Sequence, residues 1–167
     1  MLTLVLGGAR SGKTAVAEAL AEAAAGARVY LATGQALDAE MAARIARHRA
    51  TRGDGWRTVE EPLDVARALG RSRPGEAVLL DCLTLWLSNL MHHDRDIAAE
   101  TAALLDAARA CPAPVVMVSN EVGMGLVPET PLGRAFRDAQ GRLNQQVAAQ
   151  ADRVAFVAAG LPLWLKG

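Results

Sequence analysis

The sequence predicts an α/β fold, a mostly parallel sheet with helices on both faces. Three observations carry this. Short apolar runs alternate with longer alanine-rich segments along all 167 residues, the pattern of strand–helix–strand units. The runs are continuously apolar, as in Val78-Leu79-Leu80, which is what strands buried on both faces require. Polar or glycine residues stand where these runs stop, at Gly7, Thr33, Asp81 and Asn120. Parallel sheets gather ligands at those carboxyl ends.

Each element follows from its own residues. Leu2–Leu6 is the first strand, stopped by Gly7-Gly8. Lys13–Ala25 is a helix because Val16, Leu20 and Ala23 or Ala24 recur with a period near 3.6, and Gly26 ends it. Arg28–Ala32 is the second strand, closed by Thr33-Gly34. Asp38 caps a helix that runs to Thr51 with Met41 and Ile45 on its inner face. Gly53-Asp54-Gly55 is a turn before a short alternating strand, Trp56–Glu60. Leu63–Arg71 is helical and Ser72–Gly75 breaks it. Ala77–Asp81 is a strongly apolar strand. Thr84–Met91 and Ala98–Ala110 are helices separated by polar His92–Asp96. Val115–Ser119 is another buried strand. Pro128–Pro131 is a loop and Leu132–Ala151 a long helix. Val154–Ala158 is a further strand, and Gly160–Lys166 adds a terminal one.

Composition excludes several classes. Hydrophobic residues are 51% and charged residues 22%, which excludes disorder as the main state. Lys+Arg and Asp+Glu are 18 each, so electrostatic capture of nucleic acid or anionic membrane is not expected. No apolar run approaches the ~20 residues of a membrane span. Met1–Leu6 is apolar but short and lacks a basic leader, unlike a signal peptide. Two cysteines, Cys82 and Cys111, make no disulfide framework. One domain over residues 1–167, in the cytoplasm, is the expectation.

The chemistry starts at Gly7-Gly8-Ala9-Arg10-Ser11-Gly12-Lys13-Thr14, which fits G-x-x-x-x-G-K-[ST] between a strand and a helix. This is the phosphate loop of P-loop proteins. Backbone N–H groups of the loop and of the helix N-terminus converge on phosphate oxygens. Glycines let the backbone approach closely. Lys13 is placed to reach the β- and γ-phosphates, and the Thr14 hydroxyl to ligate Mg²⁺. Asp81, ending an apolar strand, is the matching carboxylate for the metal, or a cap for the helix that follows, or both. The GTPase switch strings D-x-x-G and N-K-x-D are absent, which argues against a regulatory GTPase.

Three polar clusters remain. In the first, Arg44, His48 and Arg52 share one helical face among four arginines. Surrounding cations keep an imidazole neutral, so His48 is a candidate nucleophile toward phosphorus; a solvated basic face is the alternative. In the second, Glu60 is suited to a base edge, a ribose or a metal, and Trp56 to ring stacking or core packing. The third is Ser119-Asn120-Glu121 with Gly123 and Gly125, a polar loop at a strand end. Beyond it Arg137, Gly141, Asn144 and Ala148 form a small polar helix face suited to another subunit or a substrate, or else a solvated surface with Arg134 pairing Asp138. The residues alone leave open a small-molecule kinase or a nucleotide-gated binding module.

Taken together, GGARSGKT, LATGQALDAEMAARIARHR, WRTVEEP, LLDCLTLWLSNL, SNEVGMGLVPETPLGRAFRDAQGRLNQ and ADRVAFVAAGLPLWLK cover nearly the whole chain. This ordered set closely resembles the bifunctional adenosylcobinamide kinase / adenosylcobinamide-phosphate guanylyltransferase family of cobalamin biosynthesis. The resemblance implies phosphorylation of adenosylcobinamide by ATP or GTP. It implies a second step in which the histidine matching His48 attacks the α-phosphorus of GTP and the GMP passes to adenosylcobinamide phosphate. It assigns GTP binding to the phosphate loop, to Ala32, Thr33 and Gly34, to Arg49, Ala50, Thr51 and Arg52, and to Glu60, with Asp81 near the metal. It also implies a RecA-like sheet and a homotrimer with sites near subunit contacts. His92 and His93 match no catalytic position and are expected in a surface loop.

Overall fold

The structure, a computed structural model, describes residues 1–35 and 53–167. The expected helix behind Asp38, with Met41, Ile45, Arg44, His48 and Arg49–Arg52, lies outside the described residues. Seven strands form one sheet: β1 (Leu2–Gly7), β2 (Ala27–Ala32), β3 (Trp56–Glu60), β4 (Glu76–Asp81), β5 (Val115–Asn120), β6 (Arg153–Ala158) and β7 (Leu161–Lys166). Five described helices connect them: α1 (Lys13–Ala24), α2 (Val65–Leu69), α3 (Leu83–His92), α4 (Ile97–Ala110) and α5 (Pro131–Gln150). The spatial order is β3-β2-β4-β5-β1-β6-β7. All neighbours pair in parallel except β6 and β7. This is the α/β class that the apolar runs predict.

Side-chain alternation divides the core in two. Leu4, Leu31, Val78, Leu80 and Met117 face α2, α3, α4 and α5. Val5, Tyr30, Leu79, Val116 and Val118 face the other way, onto Ala17 and Ala21 of α1. Small alanines on α1 let it pack closely over the centre of the sheet. β1 is buried along its whole length, because β5 and β6 flank it and helices cover both faces. The six parallel strands share one carboxyl edge, so the residues that end them form a single row.

Two boundaries and one side-chain pair differ from the sequence reading. The helix expected over Leu63–Arg71 is only Val65–Leu69. The N–H groups of Leu63 and Asp64 donate instead to Glu61 Oε1, at 3.2 and 2.9 Å, which delays the helix start. α3 runs on through His92, so His92 and His93 stand exposed at a helix end rather than in a loop, their rings 5.3 Å apart. The surface pair Arg134–Asp138 is not made. Arg134 sits in the first turn of α5, and its Nη1 donates to the carbonyls of Pro128 and Glu129.

Leu80 is fully buried at the centre of the sheet and Leu163 is 63% exposed on β7. Leu80→Ala is expected to lower unfolding stability by about 2–5 kcal/mol in urea titration. Leu163→Ala is expected to stay within about 0.5 kcal/mol.

Candidate active site

β1 delivers its chain to the sheet edge at Gly7, and the chain turns through Gly8-Ala9-Arg10-Ser11-Gly12 into α1. Two of the glycines are dictated by space. A Cβ on Gly7 would lie 2.4 Å from Ser11 Oγ and 2.7 Å from the Val157 carbonyl oxygen. Gly12 has φ +91° and a Cβ there would lie 2.9 Å from Gly160 Cα. Gly8, by contrast, faces open space. Arg10 also adopts a positive φ, 56°. The loop is braced from behind, where Gly160 N–H donates to the Ser11 carbonyl at 2.7 Å. Ala159 and Gly160, both with positive φ, form the two-residue turn of the β6–β7 hairpin, as hairpin twist demands.

The start of α1 is prepared for an anion. Gly12 occupies the cap position in the left-handed conformation, with no side-chain cap and no acidic residue in the first turn. α4 and α5 are built differently, with Asp96 and Thr130 accepting from their first N–H groups. Uncapped N–H groups at the positive end of a helix bind phosphate. Lys13 Nζ donates to the Gly8 carbonyl at 3.0 Å, which holds the ammonium across the loop.

Thr14 and Asp81 meet as the sequence pattern requires, with Thr14 Oγ1 donating to Asp81 Oδ2 at 3.4 Å. The helix-cap reading of Asp81 does not hold. Cys82 occupies the cap position of α3, without a side-chain cap, because the Asp81 carboxylate turns to the α1 face. There it also accepts from the Tyr30 hydroxyl at 2.7 Å. Tyr30 escaped the sequence reading. Its signal was parity, since it lies on β2 facing the same side as Asp81 on β4. A hydroxyl and a carboxylate oxygen are the hard donors that Mg²⁺ prefers, and few protein ligands suffice for it. Among the described residues no cluster of three or more His, Cys, Asp or Glu could hold a metal alone.

Beside Asp81, Cys82 is buried and its thiol is pushed up to about 11 by that burial, with the Asp81 charge adding. It is a neutral, inert thiol. Thr33 is also committed to the fold. Its hydroxyl donates to the Cys82 carbonyl at 2.7 Å and accepts from Cys82 N–H at 2.9 Å, while its own carbonyl accepts from Asn89. Glu60, Ala32 and Asp81 stand in one row across β3, β2 and β4, all on the α1 face. A Cβ on Gly34 would lie 3.2 Å from Leu85 Cδ1. Trp56 packs rather than waits for a ligand ring, lying between Tyr30, Arg28 and Glu22.

Two polar residues of α5 turn inward. Asn144 accepts from Ser119 Oγ at 2.6 Å and donates to the Asn120 carbonyl at 3.1 Å. The fully buried Gln140 donates to both Ser119 and Asn144. These bonds fasten α5 to β5, so Asn144 is engaged within the chain. His48, Arg49, Ala50, Thr51 and Arg52 lie outside the described residues.

Comparison with known proteins gives concordant results. The family model described as cobinamide kinase / cobinamide phosphate guanyltransferase matches residues 3–165. The bifunctional adenosylcobalamin biosynthesis protein CobP of Pseudomonas aeruginosa is 48% identical over 170 residues, spanning 100% of this chain and 98% of that protein. The bifunctional adenosylcobalamin biosynthesis protein CobU of Escherichia coli is 45% identical over 182 residues, spanning 99% of this chain and all of that protein. Among solved structures, the KaiC-like protein PH0186 from Pyrococcus horikoshii aligns over 93% of this chain and 69% of its own, at 12% identity and a TM-score of 0.53. The RadB recombinase aligns over 93% of this chain and 73% of its own, at 18% identity and a TM-score of 0.50. These two likenesses concern the fold, a RecA-like P-loop sheet.

Two measurements check this geometry. Gly12→Ala is expected to cost about 1–3 kcal/mol of stability through strain at its positive φ, with weaker triphosphate binding by calorimetric titration. Iodoacetamide at about pH 8 is expected to leave Cys82 unmodified in the folded protein and to label it in denaturant, read by mass spectrometry.

Proposed function

The chain belongs to the cobinamide kinase / cobinamide phosphate guanyltransferase family, and from that premise we propose that it performs two successive transfers in cobalamin biosynthesis. In the first, ATP or GTP gives its γ-phosphoryl group to the aminopropanol hydroxyl of adenosylcobinamide. In the second, His48 attacks the α-phosphorus of GTP, pyrophosphate leaves, and GMP is held on the imidazole as a phosphoramidate. A phosphate oxygen of adenosylcobinamide phosphate then takes the GMP, giving adenosylcobinamide-GDP and restoring His48. One domain, residues 1–167, serves both steps.

The observation that carries this reading is the phosphate cradle itself, the uncapped start of α1 behind a loop braced by Gly160, with Lys13 across it. The loop N–H groups and Lys13 hold the charge of the triphosphate in either step. Thr14 and Asp81 would hold Mg²⁺, which when bound neutralises charge on the phosphate oxygens. Glu60 and Ala32, in the same row as Asp81, serve the remainder of the nucleotide together with Thr33, Gly34, Arg49, Ala50, Thr51 and Arg52. Thr33 contributes by position, since its hydroxyl is engaged with Cys82.

We place the protein in the cytoplasm as a homotrimer, with small-molecule substrates and no nucleic acid. No described helix is long and apolar enough to cross a membrane. Leu126, 96% exposed, and the exposed Leu161, Leu163 and Leu165 of β7 are apolar surface of the kind a subunit contact covers.

Incubation with α-labelled GTP and Mg²⁺ tests the nucleotidyl step. Acid-labile, base-stable label is expected on the protein and is expected to vanish in His48→Ala. An unlabelled wild type would reduce the proposal to a kinase. Lys13→Ala is expected to depress both transfers by about 100-fold or more, and intact guanylylation in that variant would mean separate nucleotide sites.

A further inference from the structure

Asn120 is the polar strand-end residue to which the two transfers assign no task. It closes β5 opposite Gly7 in the register of β1. Its Cα therefore lies about 4.8 Å, one strand spacing, from the first glycine of the phosphate loop. Alternation along β5 sends Val116 and Val118 to the α1 face, beside Ala17 and Ala21, and Asn120 follows them. Asp81 on β4 shares that face and pairs with Val118, so Asn120 stands two residues, about 6.6 Å, farther out along the same edge.

The backbone of Asn120 is gripped by side chains. Its N–H donates to Thr84 Oγ1 at 2.8 Å and its carbonyl accepts from Asn144 Nδ2 at 3.1 Å. Asn144 is fixed in turn by Ser119 and Gln140. This support comes from α3, β5 and α5 together. The side-chain oxygen it positions, Asn120 Oδ1, is buried and has no hydrogen-bond partner among the described residues. Gln140 Oε1 is also unpaired, but it lies with Ser119 on the opposite face. A buried acceptor without a donor is costly. A held, unpaired acceptor beside the phosphate loop is a group kept for a ligand's donor.

We propose that Asn120 is a further catalytic residue of the phosphoryl transfer, its Oδ1 accepting a hydrogen bond from the attacking hydroxyl and aiming that oxygen at the γ-phosphorus. The inference rests on the two-transfer reading above. In the step the hydroxyl oxygen bonds to the γ-phosphorus as the bond from that phosphorus to the β,γ-bridging oxygen breaks. Nucleoside diphosphate leaves with the electron pair, and the hydroxyl proton passes to the transferred phosphoryl group. Asn120 gives orientation and stays neutral.

The test measures label transfer from γ-labelled ATP or GTP to adenosylcobinamide by the full-length protein. In Asn120→Ala, kcat is expected to fall about 100-fold while nucleotide Kd and Tm stay near wild type. Asn120→Asp keeps the size and an acceptor oxygen but sets a charge beside the triphosphate. Its rate is expected to rise as pH falls and the carboxylate protonates, a dependence absent from wild type. An unchanged kcat in Asn120→Ala overturns the proposal. So does a parallel loss of kcat, nucleotide affinity and Tm, which marks a structural residue. Should Asn120→Ala not fold, an Asn120→Asp profile identical to wild type overturns it as well. A wild type that binds triphosphate but transfers no label fails the two-transfer reading, and the inference falls with it; an active wild type with an unaffected Asn120→Ala sinks the inference alone.

Discussion

The hydrogen bond from Gly160 N–H to the Ser11 carbonyl joins the two ends of the chain, and the nucleotide cradle depends on it. A phosphate loop must leave its amides unpaired, and unpaired amides favour any conformation that satisfies them. The bond from the β6–β7 turn fixes one carbonyl of the loop, and the close approach of Gly160 to Gly12 leaves no room for a side chain. Inside the loop, Ser11 N–H donates to the Gly8 carbonyl at 3.3 Å, so the loop is braced from within as well as from behind. The turn behind it is carried by β6, which pairs with β1 on one side and β7 on the other.

The two faces of the sheet carry different work. On the α1 face, Asp81, Tyr30, Ala32, Glu60 and Asn120 line one edge with the phosphate loop, and there the Asp81 carboxylate accepts from Tyr30 and Thr14. On the other face, Ser119, Gln140 and Asn144 tie α5 to β5, and Thr33 ties the end of β2 to α3 through Cys82 and Asn89. Both kinds of polar residue stand at strand ends. Parity along the strand, which is fixed by the pleat, separates one from the other.

Much of this was legible in the residues. The apolar runs predicted the strands and their parallel pairing, because a strand covered on both faces cannot alternate. The phosphate loop was legible because two of its glycines, Gly7 and Gly12, are forced by contact and Gly12 gives its helix no side-chain cap. Parity was harder to use, since it needs the neighbouring strand and its register. Tyr30 therefore passed unnoticed, and nothing in the residues told that the Thr33 hydroxyl is engaged with the Cys82 backbone. Asn144 was read as part of a face for a partner or solvent because nothing in a helix pattern tells which sheet residue it will meet. The helix expected over Leu63–Arg71 was overextended because Glu61 competes for its first amides.

The row formed by Glu60, Ala32 and Asp81 makes the sheet edge a ruler. Between Glu60 on β3 and Gly7 on β1 lie four strand intervals, about 19 Å at ordinary spacing. A molecule gripped by its phosphates at one end reaches Glu60 only if it is long and lies along the edge. Under the nucleotide assignment proposed above for Glu60, a short phosphorylated metabolite fills the cradle but stops before the last mark, and molecular length becomes a criterion of selection.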